Sequence, residues 1–358
     1  MLCPRCHRTY PDTETRCHFD QEPLTNARRI DFVRAGRTRH IGAILGNRFQ
    51  IRGFIGQGGT SRVYLAEDLQ TQEPVALKIL EPPWAHDKIA RERFLQEARA
   101  TSLIEHPGVV RIGFVGQRGD GTPYIAMEYL FGESLATYLE RLDVMDVDVG
   151  IPVLRELASA LDAAHAQGVI HRDVKPDNIF LLGEPGDPYA VKLVDFGFAK
   201  LRDSTITAAG TAIGSVGFMA PEQCVADNVD PRTDVYGLGV VAYRMFTGTL
   251  PFGEAPTEEV LGKHLAEPCI PPIELVPTFD ANLSAVIAKC LRKDPAHRYD
   301  SMGALIADLD AASEGVRPRA ADDVPDTEDR YEPRGPFARL VARALYRKIG
   351  LPMPSSLA

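Results

Sequence analysis

The sequence predicts an α+β fold in two lobes, a β-rich one followed by a helical one, and three observations predict it. Apolar residues begin to alternate with polar ones near Arg48, the period of half-buried strands. A glycine-rich turn, Gly56 to Gly59, separates the first two such runs. From about Ile151 the spacing changes to that of helices and keeps it to Ala312. Strands gathered first and helices later argue for an α+β arrangement.

The elements follow in order. Phe49, Ile51 and Ile55 alternate with Gln50 and Arg52 as a strand; a second runs through Val63 and Leu65, and a third through Val75–Leu80. A helix is predicted over 88–104, then short strands around Val109–Val115 and Pro123–Tyr129. Helices are predicted over Val153–Gln167, Thr233–Thr247, Thr257–Leu265, Asn282–Leu291 and Met302–Ala312. This gives a domain over 47–313. Before it lie a compact Cys/His segment over 1–25 and an Arg-rich connector over 26–46. After it come a Pro/Asp/Glu/Arg-rich stretch over 314–335, expected as a disordered linker, and a helix over 336–350.

Composition narrows the function. The chain of 358 residues is 44% hydrophobic and 25% charged, as expected of a soluble globular protein. Its net charge of −9 argues against nucleic acid as a partner, because phosphate backbones need surplus Lys and Arg. No run reaches the ~20 apolar residues that span a bilayer, and Cys3 and Cys6 stand where a secretory signal would be basic and then apolar. The expected location is cytoplasmic.

Gly56-Gln57-Gly58-Gly59-Thr60-Ser61-Arg62-Val63 lies between two strands. Glycines let backbone N–H groups approach phosphates, although any tight hairpin can also use them. Lys78 shares a strand face with Ala76, while Val75, Leu77 and Ile79 take the other. A lysine in such an apolar run needs an anion, and Glu97 on the following helix is the natural one. Taken singly, Lys78 could be a solvated strand edge and Glu97 a surface residue. His171-Arg172-Asp173-Val174-Lys175-Pro176-Asp177-Asn178 is more specific, with two acids, a basic pair and an Asn within one loop. Asp195-Phe196-Gly197 ends a strand, where a carboxylate beside a glycine suits Mg²⁺, an ion that takes one or two carboxylates plus phosphate oxygens.

The order of these motifs, with Ala220-Pro221-Glu222 after them, resembles the eukaryotic-type protein kinase family in its bacterial Ser/Thr branch, over roughly Arg48 to Ala312. The resemblance implies a bilobal kinase fold and transfer of the γ-phosphoryl of ATP, with Mg²⁺ or Mn²⁺, to protein Ser/Thr hydroxyls in bacterial signal transduction. It implies that Lys78 binds the α/β-phosphates and is held by Glu97. Asp173 takes or orients the hydroxyl proton, Lys175 contacts the γ-phosphate, and Asn178 and Asp195 hold the metal. Ile55, Gly56, Gln57, Gly58, Gly59 and Val63 cover the nucleotide, and Ala76 lies on the adenine. Glu128-Tyr129-Leu130 resembles the hinge, Met127 the residue that limits the pocket, Glu222 and Arg298 a buried ion pair, and Asp234 a brace for the catalytic loop. Lys175 favours Ser/Thr over Tyr as acceptor. Ser61 replaces the third glycine of the loop, and Gly214-Ser215 stands where Gly-Thr is usual. A catalytically silent scaffold, the competing reading, usually lacks one of Lys78, Glu97, Asp173, Asn178 or Asp195; all are present.

Arg172 before the catalytic Asp resembles a receiver for a phosphate on the activation segment, Asp195 to Glu222. Thr207, Thr205 and Thr211 are candidate autophosphorylation sites, Thr207 first. Cys3-Pro4-Arg5-Cys6 is half of a zinc site, with Cys17 after it. The segment resembles a small zinc ribbon, Asp20 standing where a fourth cysteine belongs; the fourth ligand is open between Asp20, His18 and His7. In the last helix Phe337, Leu340, Val341, Ala344 and Leu345 repeat at helical spacing, with Arg339, Arg343 and Arg347 on another face. Such a basic amphipathic helix suits an anionic membrane surface, a partner groove or packing back on the domain.

Overall fold

The alternation read from Phe49 onward forms a sheet because it gives each strand one apolar face to bury. In the computed structural model, which describes residues 40–183, 188–197, 216–253, 255–323 and 329–350 together with 15, 16, 23, 353, 354 and 357, the chain divides into two compact units. Cys3, Cys6, His7, Cys17, His18, Asp20, Thr205, Thr207 and Thr211 lie outside the described residues.

The first unit takes residues 1–134 and 180–194. Its strands are β1 (Ile44–Leu45), β2 (Phe49–Gln57), β3 (Ser61–Asp68), β4 (Pro74–Leu80), β5 (Ile112–Gln117) and β6 (Pro123–Glu128). They form one antiparallel sheet in the order β1-β2-β3-β4-β6-β5. Phe49, Ile51, Tyr64, Leu77, Ile79 and Tyr124 cluster on one side. Leu80 and Ile125 meet Phe94 and Ala98 of helix α1 (Lys88–Ser102). The pairing starts earlier than expected: β1 lies in the stretch read as connector and adds an edge to β2. Val109 makes only an isolated parallel bridge to Leu193, so the strand expected from Val109 begins at Ile112. A second sheet joins β7 (Gly132–Ser134), β8 (Ile179–Leu182) and β9 (Ala190–Leu193). Gly132 is needed there, since a Cβ would strike the Leu181 carbonyl.

The second unit takes residues 135–179 and 195–358. Its helices are α2 (Leu135–Leu142), α3 (Val147–Ala166), α4 (Pro221–Cys224), α5 (Pro231–Thr247), α6 (Thr257–Ala266), α7 (Pro272–Leu275), α8 (Ala281–Cys290), α9 (Met302–Ser313) and α10 (Pro336–Ile349). α5 is buried along most of its length and packs against α3 and α8, and α9 lies on α3. Asp146 and Asp230 cap α3 and α5 with side-chain oxygens on free N–H groups. α3 begins earlier than predicted, at Val147, and carries Pro152 inside it, a residue that removes one i→i−4 bond and that the sequence pattern takes as a helix boundary.

Two expectations for the C-terminal region change. The stretch 314–335 is not a linker throughout: Arg319–Asp322 form a 3₁₀ turn, Ala320 and Tyr331 are buried, and the Asp308 carboxylate accepts the N–H groups of Arg319 and Ala320. Helix α10 forms, but it packs back on the second unit through Ala338, Ala342, Leu345 and Tyr346. Phe337 and Leu340, expected on its apolar face, are exposed. The buried face uses alanines, whose small side chains let helices approach, and a count of large apolar residues points the wrong way. Among the described residues no helix is long and apolar enough to cross a membrane.

Candidate active site

In the first unit, β4 turns Lys78 away from the Leu77/Ile79 side, as the alternation required. Its Nζ donates to Glu97 Oε1 at 2.8 Å, and Lys78 is only 8% exposed. Glu97 is held in place by α1, whose N-cap Asp87 accepts the Ala90 N–H at 2.7 Å. The glycine turn closes through Gly58 N–H to Ser61 O at 2.8 Å. A Cβ at Gly56 or Gly59 would meet nothing within 4 Å. Packing within the protein therefore does not demand glycine at either position. Val63, Ala76 and Met127 share one apolar cluster with Leu65, Tyr129 and Phe131, a surface suited to a flat heterocycle. Ile55 lies outside that cluster and is exposed. Glu128 is more committed than the sequence suggested. Its carboxylate accepts from Lys192 Nζ (2.6 Å) and Arg111 N–H (2.7 Å), and its own N–H donates to Arg111 O. Leu130 follows the buried Tyr129.

In the second unit the loop 171–178 is fastened from below. Asp234, on the buried α5, accepts the His171 N–H at 2.8 Å, the Arg172 N–H at 2.7 Å and lies 2.7 Å from His165 Nε2. Above it, Asn178 Nδ2 donates to Asp173 O (2.9 Å) and Asp173 Oδ2 (3.2 Å), and Lys175 Nζ stands 3.5 Å from Asp173 Oδ2. The loop thus gathers a carboxylate, an ammonium and an amide, as its sequence implied. Asn178 spends its NH₂ on Asp173, which leaves its amide oxygen as a ligand. Asp195 adds a carboxylate, and both are the hard oxygen donors that Mg²⁺ takes. Arg172 and Asp195 both sit at positive φ, 66° and 56°, conformations that non-glycine residues adopt at a cost and that cluster at functional loops. Gly197 N–H donates to His171 O at 2.8 Å, and a Cβ there would press on Asp173.

Further residues complete the support. Arg298 makes two bonds to Glu222, at 2.8 and 2.9 Å, and Thr233 Oγ1 donates to the same carboxylate. Gln223 was not singled out from the sequence. Its Nε2 donates to Arg172 O at 2.8 Å and its Oε1 accepts the Ala220 N–H. His165 was missed too; only its position in a helix just before the loop could have signalled it. Burial lowers the Arg172 guanidinium below its usual range, with Asp234 opposing. Its Nε and Nη1 are buried with no hydrogen-bond partner among the described residues. Also among these residues, no three His, Cys, Asp or Glu side chains converge as a metal cluster would require.

A family model described as a protein kinase domain matches residues 49–308. The chain is 37% identical over 293 residues to a probable serine/threonine-protein kinase of Clostridium perfringens, covering 81% of this chain and 42% of that one. It is 38% identical over 301 residues to the serine/threonine-protein kinase Pkn1 of Myxococcus xanthus (80% and 43%), and 36% over 291 residues to PknB of Mycobacterium tuberculosis (79% and 46%). The chain thus spans less than half the length of these relatives. Among solved structures, the PknI kinase domain of Mycobacterium tuberculosis superposes with a TM-score of 0.59 at 27% identity, covering 76% of this chain and 98% of that one.

Proposed function

The chain belongs to the protein kinase domain family, and from that premise we propose that it transfers the γ-phosphoryl of ATP to Ser or Thr hydroxyls of proteins, in the cytoplasm, as part of bacterial signalling. The observation that carries this is the loop in which Asp173 is flanked by Lys175 and Asn178 and fastened to Asp234.

Asp173 accepts a hydrogen bond from the acceptor hydroxyl and aims its oxygen at the γ-phosphorus. The oxygen–phosphorus bond forms as the bond to the β–γ bridging oxygen breaks, ADP leaves, and the hydroxyl proton passes to Asp173. Lys175 balances charge on the transferred group, and Lys78, held by Glu97, binds the α/β-phosphates. Mg²⁺ or Mn²⁺, when bound, neutralises phosphate charge; Asn178 and Asp195 are the residues that would hold it. Gly56 to Gly59 and Val63 cover the phosphates, while Ala76, Met127 and the 128–130 backbone take the adenine. Lys175 two residues after the base favours Ser/Thr as acceptor.

Regulation follows from Arg172. A half-buried guanidinium whose Nε and Nη1 have no hydrogen-bond partner among the described residues suits a phosphate, which supports autophosphorylation of the activation segment at Thr207, with Thr205 and Thr211 as alternatives. One experiment tests both ideas: labelled ATP and Mg²⁺ with wild-type chain and Asp173→Asn, scored on the chain and on casein, followed by phosphopeptide mapping. The variant should label about 10²–10⁴-fold more slowly, and wild type should carry phosphate between residues 201 and 213. Equal labelling by the variant would remove Asp173 from the chemistry; an active chain unmodified in that window would remove the Arg172 switch.

Zinc on Cys3, Cys6 and Cys17, with Asp20 or a nearby His as fourth ligand, belongs to the same proposal and rests on the Cys-x-x-Cys spacing alone. Metal analysis should find one zinc per chain that Cys3→Ser loses; a metal-free wild type refutes it.

A further inference from the structure

Three consecutive peptide units around Asp173 are each held, and by different elements. Between 171 and 172, the Arg172 N–H donates to Asp234 Oδ1 at 2.7 Å and His171 O accepts the Gly197 N–H at 2.8 Å. Between 173 and 174, Asp173 O accepts from Asn178 Nδ2 at 2.9 Å. The unit between these two leads directly into Asp173 and takes other partners. The Asp173 N–H donates to His171 Nδ1 at 3.2 Å, and Arg172 O accepts from Gln223 Nε2 at 2.8 Å.

Gln223 stands in α4, 51 residues along the chain from Arg172. Its Oε1 accepts the Ala220 N–H at 3.0 Å, so one side of the amide is clamped to its own helix while the other grips the loop. The helix is anchored in turn, because the neighbouring Glu222 is buried and bonded to Arg298 and Thr233. Only an amide offers an acceptor and a donor together at that reach; a glutamate would keep the first bond alone, and a methionine neither. The grip matters because Arg172 sits at a φ of 66°. A non-glycine residue stays in that region only where its surroundings over-determine it. Asp234 holds the N–H at the entry to Arg172, and Gln223 holds the C=O at its exit. Releasing the exit lets the 172–173 peptide turn, and the Asp173 carboxylate turns with it.

We propose that Gln223 is a positioning residue for phosphoryl transfer, one that fixes the 172–173 peptide so that Asp173 is aimed at the acceptor hydroxyl. This role rests on the kinase reading above. Gln223 acts through Asp173, while Lys78 and Glu97 belong to the first unit and keep their own bond. Its loss therefore falls on turnover and spares the affinity for ATP. Misplacing a reacting group by a fraction of its bond length to the substrate is enough to slow a reaction sharply.

The test uses the full chain with labelled ATP, Mg²⁺ and casein, as wild type, Gln223→Glu and Gln223→Met. The glutamate keeps the acceptor for the Ala220 N–H but points a carboxylate oxygen at Arg172 O. It should lower kcat by about 10–100-fold and leave the KM for ATP within about twofold. The methionine lacks both bonds and adds no charge, and should lose kcat on the same scale. Urea midpoints taken on the same proteins separate positioning from bulk stability. A lower midpoint with kcat per folded chain unchanged would make Gln223 a structural residue and overturn the proposal. Should Gln223→Glu fail to fold, Gln223→Met decides by the same criterion. A wild type that transfers no label overturns the kinase reading, and this role with it; an active wild type matched by the folded variants overturns this role alone.

Discussion

Lys78 shows how far a single side chain can be read before folding. Alternation along β4 fixed its face, and the cost of an unpaired charge in an apolar run demanded an anion, which Glu97 supplies. Lys293 could not be read that way. It is fully buried, its Nζ donates to Lys263 O at 3.2 Å and lies 3.9 Å from the Phe252 ring centroid. Nothing near it in sequence announces this, because its neighbours come from distant helices. Burial pushes the Lys293 ammonium down to about 7 from 10.5. Between those values the unfolded chain holds more protons than the folded one, so stability rises with pH through this group. Wild type should gain up to about 1.4 kcal/mol per pH unit relative to Lys293→Met from pH 7 upward. Urea midpoints at pH 7, 7.75 and 8.5 measure it, and parallel curves for the two proteins would contradict it. Gln223 and His165 were illegible for the same reason as Lys293: their bonds to Arg172 and Asp234 close loops of 51 and 69 residues.

Elements were legible where period and caps agreed. The predicted helices that became α1, α5, α8 and α9 lie within two residues of their observed bounds. Short α2 was missed, since eight residues offer barely two turns of period. α10 was found, but its buried face only in part: Val341 and Leu345 pack as expected, while Ala338 and Ala342 stand in place of Phe337 and Leu340, because alanine contributes little to an apolar count and much to close packing. α1 matters most among these, as it carries Glu97. Asp87→Ala removes its cap and should cost about 1 kcal/mol, read as a lower urea midpoint. The pairing of Lys78 should survive, so the KM for ATP should stay within about twofold; a large rise would show that the cap positions Glu97 as well as stabilising the helix.

At the scale of the molecule, each unit carries its own apolar core, which the switch from strand to helix period foretold. The single tryptophan, Trp84, sits in the first unit, while every described α-helix except α1 lies in the second. Trp84 fluorescence and far-UV ellipticity therefore report different units. Arg298→Met leaves Glu222 buried without its partner, a loss of about 3–5 kcal/mol. It should move the ellipticity transition to lower urea and leave the fluorescence transition in place; two traces shifting together would mean that the units unfold as one. Asp234 carries one more consequence. The amides of the loop that bears Asp173 hang from a carboxylate in the first turn of α5, a helix buried along most of its length. Heat that unfolds α5 therefore frees that loop as well. A temperature-sensitive allele mapping to α5 would thus lose the proposed phosphotransferase activity and cellular abundance together, and a genetic screen for folded but inactive chains would draw its hits from the loop itself.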